Sequence, residues 1–303
     1  MGFSPLLYAG VVVLCSTAPF KLPQRNEPHD RPIIGILTQE VDNESMKKFG
    51  KTYIPSSYVK YIESGGARVV PKFSLRFTCG WTINLYENHF CLSIGGAVDL
   101  ETSDFAHTAG FTSDWRMMRV IWGTCLGFQL LTVLVAGENL LSKTTSPQVL
   151  SLNRCYKASS SRMFTNFPSD VRKALSQEPL TGNFHHYGVT KAFMGNEKLS
   201  GFFSVLSTNI TQNGLEFVST HPFYGVQWHP AVNLSRFRWD PRYNFHHSSN
   251  AVRVSSLLAE FFVNEGNYSL ILYLFMSPSS ALIYNYNPVY MANISAYEQS
   301  YFF

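Results

Sequence analysis

The feature that most constrains this chain is the stretch Trp122-Gly123-Thr124-Cys125-Leu126-Gly127-Phe128-Gln129. It follows a β-branched pair, Val120-Ile121, and runs into an apolar segment, Leu130 to Val135, that ends at Ala136-Gly137. Strand, glycine-flanked turn, helix is the arrangement of a nucleophile elbow, with Cys in place of Ser. Glycine on either side of Cys125 lets the backbone turn tightly and lets a substrate approach without meeting a Cβ. A thiol at a helix N-terminus gains from the dipole and the free N–H groups, which lower its pKa. The competing reading is a structural thiol, since free cysteine is often buried. The elbow alone leaves both open.

The rest of the chain alternates strands and helices around it. Pro32 to Leu37 reads as a fully buried strand, β-branched and without alternation. Ser57 to Ser64 has helical periodicity and stops at Gly65-Gly66, and Ala67 to Pro71 is the next strand, closed by its proline. Strand, helix, strand at this spacing is a βαβ unit and predicts a largely parallel sheet. Lys72 to Phe90 carries no clear period. Cys91 to Leu100 reads as a strand ending at Gly95-Gly96, which either presents N–H groups to a ligand or is an ordinary turn. Residues 142 to 162 are rich in Ser, Thr, Lys and Asn and read as loops or hairpins.

Two alternating runs, Phe202–Thr208 and Leu215–Thr220, flank Asn213-Gly214, a hairpin signal. Phe223 to Val226 is a short apolar strand that delivers His229 at its end, where Pro230 turns the chain out of the sheet. Asn250 to Gly266 is a helix with an Asn cap, apolar residues at 254, 257, 258, 261 and 262, and a Gly stop. The aromatic tail from Ala281 to Phe303 is expected to pack back on the domain. With no internal repeat and no separating linker, residues 19–303 read as one α/β domain, beginning with a flexible lead-in over 19–31.

Composition narrows the function classes. The 24 Lys and Arg against 20 Asp and Glu leave a net charge of +4, scattered rather than clustered, and no nucleic-acid motif is present. Residues 1–18 suit a signal peptide: apolar from Pro5 to Cys15, then small Ser16-Thr17-Ala18. The apolar run is too short to span a bilayer, and the alternative for it is a buried first strand. Sequons at Asn43, Asn209, Asn233, Asn267 and Asn293 support a secreted or lysosomal glycoprotein. Once the leader is removed, Cys79, Cys91, Cys125 and Cys155 are too few for a disulfide scaffold, and no C-x-x-C or H-E-x-x-H spacing offers a metal site.

A cysteine on an elbow and a histidine at a strand end are the nucleophile and base that acyl transfer needs. In open α/β sheets, sites form beyond the carboxyl ends of strands, so Cys125 and His229 are expected to meet there. The Leu126 N–H and an N–H of Gly95-Gly96 are the natural oxyanion donors. Of the adjacent His185 and His186, alternation allows one at most to point into a site.

In the order Gly-Gly, Gly-x-Cys-x-Gly, Gln-Trp-His-Pro, the chain resembles the γ-glutamyl hydrolase family of the class I glutamine amidotransferase-like superfamily. The resemblance is carried by Arg31–Leu37, Tyr58–Tyr61, Trp122–Phe128, Asn183-Phe184-His185, Tyr224–Pro230 and Ala281–Tyr284. It implies a three-layer α/β sandwich and cleavage of folate and antifolate poly-γ-glutamates. It also implies a homodimer without metal or organic cofactor, with Cys125 as nucleophile, His229 as base and acid, and His185 as a further active-site histidine. Gln129 fits the superfamily pattern Gly-x-Cys-x-Gly-x-Gln. Three departures stand out. The family's His-Pro-Glu is His229-Pro230-Ala231, so the carboxylate that orients the imidazole is missing. Its Phe-Pro-Gly-Gly is Ser93-Ile94-Gly95-Gly96, and the stretches 72–90 and 104–119 diverge. The alternative to a working hydrolase is therefore a paralogue that binds polyglutamates without efficient turnover. A glutaminase subunit is disfavoured by the leader and by the lack of a synthase domain.

Overall fold

β1 (Ile33–Leu37) is buried along its whole length, as an apolar strand with no alternation must be when both faces of its sheet are covered. In the computed structural model the described residues are 32–72, 90–111, 120–144, 149–150, 161–190, 192–210, 216–221, 223–231, 247–267 and 279–303. The leader-like segment and the Asn213-Gly214 turn lie outside them.

After β1 come β2 (Gln39–Glu40), β3 (Thr52–Pro55), the helix Ser56–Ser64, β4 (Arg68–Lys72), β5 (Phe90–Ser93) and the helix Asp104–Phe111. β6 (Val120–Thr124) feeds the helix Leu126–Ala136, and β7 (Ser142–Lys143) and β8 (Val149–Leu150) follow. Next are the helices Arg162–Thr165 and Ser169–Gln177, then β9 (Thr181–Gly182) and β10 (Tyr187–Gly188). The chain continues through β11 (Ser204–Ile210), β12 (Glu216–His221), β13 (Tyr224–Val226), the helix Ser249–Asn267, β14 (Val289–Tyr290) and β15 (Gln299–Phe302).

Among these, seven strands form one sheet in the order β11-β12-β13-β6-β5-β1-β4. From β4 to β13 every neighbour is parallel, which is the sheet the βαβ spacing requires. The antiparallel pair β11 and β12 closes the other edge. Pro71 does not close its strand: it lies inside β4, opposite Ile36. β4 is an edge strand, and there a missing N–H removes no ladder bond from an outer neighbour. Of the segment 142–162, which reads as loops or hairpins, the described part includes two short strands. β7 pairs with β10 and β8 with β9, so both short strands are tied to the chain around residues 181–188. The tail packs back as expected, β15 adding antiparallel to β3 with Tyr301 opposite Ile54.

The layers follow from the two-residue period of the central strands. On β6, Trp122 points to one face and packs with Phe262, Tyr61 and Tyr224 at ring distances of 5.3, 6.5 and 6.2 Å. Its buried indole N–H donates to the Thr124 hydroxyl at 3.0 Å. Its neighbour Ile121 packs on the opposite face with Phe128, Leu131, Phe193 and Phe203. Helices Ser56–Ser64 and Ser249–Asn267 thus cover one side, and Leu126–Ala136 covers the other. That is a three-layer α/β sandwich. Each large apolar side chain so enclosed contributes about 1.5–3 kcal/mol, which is what holds β6 and β13 side by side under the elbow.

Candidate active site

Cys125 stands between β6 and the helix Leu126–Ala136 with φ 51° and ψ −107°, the sole non-glycine with positive φ among the described residues. Such a backbone costs about 1–3 kcal/mol, so its surroundings must hold it. The Cys125 N–H donates to the Val226 carbonyl at the end of β13 at 2.8 Å, and the Cys125 carbonyl accepts the Gln129 N–H at 3.0 Å. Gly123 serves this turn. A Cβ on Gly123 would lie 2.7 Å from the Gly127 backbone, so strand and helix cross there at a distance only glycine permits. On β13, a Cβ at Gly225 would lie 2.2 Å from the Phe128 ring.

The thiol is buried, and burial pushes its pKa up to about 12. The Leu126 N–H and the Gln227 side chain both pull it down. Position at a helix N-terminus was expected to lower the thiol's pKa; here desolvation outweighs it, because the charged form loses more hydration than one N–H and one amide return. Gln129 is buried and braces this corner: its amide donates to the Tyr187 carbonyl at 2.6 Å and to the Gln227 side-chain oxygen at 3.3 Å.

His229 arrives from the end of β13 and is anchored by its N–H on the Gly182 carbonyl at 2.9 Å. The Ser255 hydroxyl, on the long helix, bonds the carbonyl of Pro230 and secures the turn beyond it. The ring meets Phe184 edge-on at 5.9 Å. Its Nδ1 lies 3.2 Å from the Tyr58 hydroxyl, and that same hydroxyl accepts the Gly95 N–H at 2.9 Å. A Cβ at Gly95 would sit 2.6 Å from His229 Cε1, and one at Gly96 would overlap the Gln39 side chain at 1.6 Å. The Gly-Gly turn is therefore a wall of the site and no ordinary loop. Tyr58 is buried, and desolvation, followed by the charge of the nearby Cys125 thiol, holds its hydroxyl far above the usual tyrosine range. It thus links the elbow, the histidine and the Gly-Gly turn.

His185 is buried while His186 is exposed, in keeping with the expectation that one of the two at most faces inward. Burial, and then electrostatic coupling to His229, depress the His185 pKa to about 3, so it is a neutral imidazole next to His229. Among the described residues no cluster of His, Cys, Asp and Glu is placed to hold a metal ion.

The family model described as "Glutamine amidotransferase class-I" matches residues 108–248. Gamma-glutamyl hydrolase of Homo sapiens is 41% identical over 313 residues, covering 96% of this chain and 96% of that protein. The Bos taurus protein of the same name is 40% identical, again over 96% of both chains, and that of Mus musculus 38% over 98% of both. The chain belongs to the γ-glutamyl hydrolase family.

Within that family frame the predicted residues are tied together through shared neighbours beyond the carboxyl ends of β5, β6 and β13: Tyr58 bonds His229 and Gly95 and lies near Cys125, Gln227 bonds Cys125 and Gln129, and His185 lies near His229. The described sequons are elsewhere and differ among themselves. Asn43 and Asn293 are exposed, and the Asn43 side-chain oxygen accepts the Ser45 N–H at 2.9 Å. Asn209 is buried on β11, Asn267 ends the long helix, and Asn233 lies outside the described residues. Ala231, where the resemblance implies a Glu, is buried in the apolar cluster beneath the site.

Two residues at the site escaped the sequence reading. Tyr58 was legible only as a member of its helix, although a buried phenol usually finds a hydrogen-bond partner, and that was the available signal. Gln227 stood inside Gln-Trp-His-Pro without an assigned task.

Proposed function

We propose that this chain hydrolyses γ-glutamyl peptide bonds of folate and antifolate poly-γ-glutamates through a thioester on Cys125. The observation that carries the reading is the strained, positive-φ backbone at Cys125, maintained near Tyr58, whose hydroxyl meets the His229 ring, in a γ-glutamyl hydrolase scaffold. Strain of that kind persists where the surroundings over-determine it, and such places concentrate at functional sites.

In this mechanism His229 takes the Cys125 proton as the sulfur attacks the γ-carbonyl carbon of the scissile bond. A thiol held near pKa 12 is not a free thiolate in the resting protein, so proton transfer accompanies attack instead of preceding it. The Leu126 N–H and the Gly95-Gly96 turn face the developing oxyanion. Because the Gly95 N–H is already on Tyr58, Gly96 is the stronger candidate of the two. Collapse breaks the C–N bond, and His229 returns its proton to the leaving amine. Water then attacks the thioester carbonyl with His229 as base, releasing the γ-carboxylate and regenerating the thiol. His185, neutral and beside His229, contacts the bound glutamate without adding charge to the site. Gln129 acts through Gln227.

The second reading, a paralogue that binds polyglutamates without turnover, is favoured by Ala231 and by the altered turn Ser93-Ile94-Gly95-Gly96. The decisive experiment is release of glutamate from a pteroyl-polyglutamate by the purified protein and by its Cys125→Ala variant. Release by the parent and none by the variant is expected; a parent rate equal to the Cys125→Ala background refutes the hydrolase, and calorimetric binding without release selects the second reading.

We read the protein further as a secreted or lysosomal, glycosylated homodimer. The leader-like residues 1–18 and the exposed Asn43 and Asn293 support the first two, and family resemblance supports the third. Among the described residues no helix is long and apolar enough to cross a membrane.

A further inference from the structure

His229 has lost the carboxylate that its relatives place two residues on, yet its Nδ1 is not without a neighbour of the right chemistry. The Tyr58 hydroxyl is 3.2 Å away. A hydroxyl oxygen has two acceptor sites, and the Gly95 N–H, an obligate donor, occupies one of them at 2.9 Å. The second is open to an Nδ1–H when the phenolic proton is turned away from the ring, since either group can be the donor in this contact. Filling both leaves the base with its proton on Nδ1 and its lone pair on Nε2, which is the tautomer that can accept the thiol proton.

We propose that Tyr58 is the positioning residue for His229, its hydroxyl oxygen accepting the Nδ1–H in place of the carboxylate that Ala231 lacks. The inference rests on the reading of Cys125 and His229 as a hydrolytic pair. Three features of the fold make Tyr58 suited to the task. It projects from a regular helix, and its side chain is enclosed in the core with Val59, Tyr61 and Ile62 of the same helix, so the hydroxyl is delivered from a rigid support. Gly95, the hydroxyl and the imidazole are in mutual contact, a Cβ at 95 being 2.8 Å from the hydroxyl and 2.6 Å from the ring. Ring orientation and the Gly-Gly turn are therefore set together. Finally, a neutral acceptor is sufficient for a thiol nucleophile: Cys-His-Asn sites orient their imidazole with an uncharged amide, whereas serine enzymes rely on a carboxylate. The phenol remains protonated because burial opposes its ionisation. It orients the base without lending it a negative charge.

The test is Tyr58→Phe in the full-length protein, with glutamate release measured beside the 15N shifts of the His229 ring. The whole general-base contribution is roughly 10²–10⁴-fold, and loss of its orientation is expected to lower kcat by about 10- to 100-fold while KM changes by less than about twofold. The parent is expected to show Nδ1 protonated and Nε2 bare, and the variant a mixture of the two tautomers. An unchanged kcat with an unchanged tautomer overturns the proposal, as does a fall in kcat with the Nδ1–H tautomer intact, which would assign Tyr58 only to the Gly95 turn. If the variant does not fold, the parent spectrum decides: an Nε2-protonated ring is incompatible with the proposal. A parent that releases no glutamate refutes the hydrolase reading, whereas its ring spectrum still tests Tyr58 separately.

Discussion

His185 should make this protein lose stability in mild acid, by an amount that the structure allows to be worked out. Its folded pKa is about 3, against about 6.5 for an exposed histidine in the unfolded chain. Between these values the unfolded state binds a proton that the folded state does not, so stability falls as the pH falls from about 6.5 toward 3. At about pH 5 the unfolded histidine is stabilised by protonation over about 1.5 pH units, which is about 2 kcal/mol. Near pH 7.5 the corresponding figure is close to zero, and below pH 3 the full separation approaches about 5 kcal/mol. The assay is urea unfolding of the parent and of His185→Asn at about pH 7.5 and pH 5. Asparagine carries its own packing cost, but that cost is common to both pH values, and the titration of other groups is common to both proteins. The double difference isolates His185. The variant should lose about 2 kcal/mol less than the parent between the two pH values. Equal losses would mean that His185 is solvated or charge-compensated in the folded protein, and the argument from burial would fail.

Two other consequences concern the elbow. Gly123→Ala places a methyl 2.7 Å from the Gly127 backbone, where no flexible side chain can yield; we expect destabilisation of about 1–3 kcal/mol in thermal unfolding, with glutamate release reduced more than stability alone explains. Alkylation of Cys125 by iodoacetamide in the ligand-free protein should be slow at neutral pH and should still be rising with pH above 10, since the thiol is held near 12. A rate that levels off below about pH 8 would show a preformed thiolate instead.

The family and its elbow were legible because both are local. Gly-x-Cys-x-Gly after a β-branched strand specifies a strand–turn–helix whatever else the chain does, and β1, the helix Ser56–Ser64 and the long helix could be read from composition and period, although the long helix Ser249–Asn267 runs through both Asn250 and Gly266, the residues expected to cap and stop it. Pro71 was misplaced since its tolerance depends on β4 being an edge, a property of strand order and not of the strand. The partners of β7 and β8 were beyond sequence reasoning for a related reason: they lie some 30 to 45 positions away, beyond the reach of any turn signal.

The site divides in the same way. Sequence by itself determined the nucleophile's position, the histidine that follows β13, and the loss of the glutamate at 231, because each is carried by residues adjacent in the chain. Only the tertiary structure decided the state of the thiol and the identity of the histidine's partner. Desolvation of Cys125 is the sum of everything packed around it, and it reversed the sign of the shift expected at a helix N-terminus. Tyr58 reaches His229 across 171 positions of chain, by way of a helix whose sequence shows only that the tyrosine points inward. What it meets there was settled by packing Ser56–Ser64 against the sheet, where the elbow, the Gly-Gly turn and the base converge.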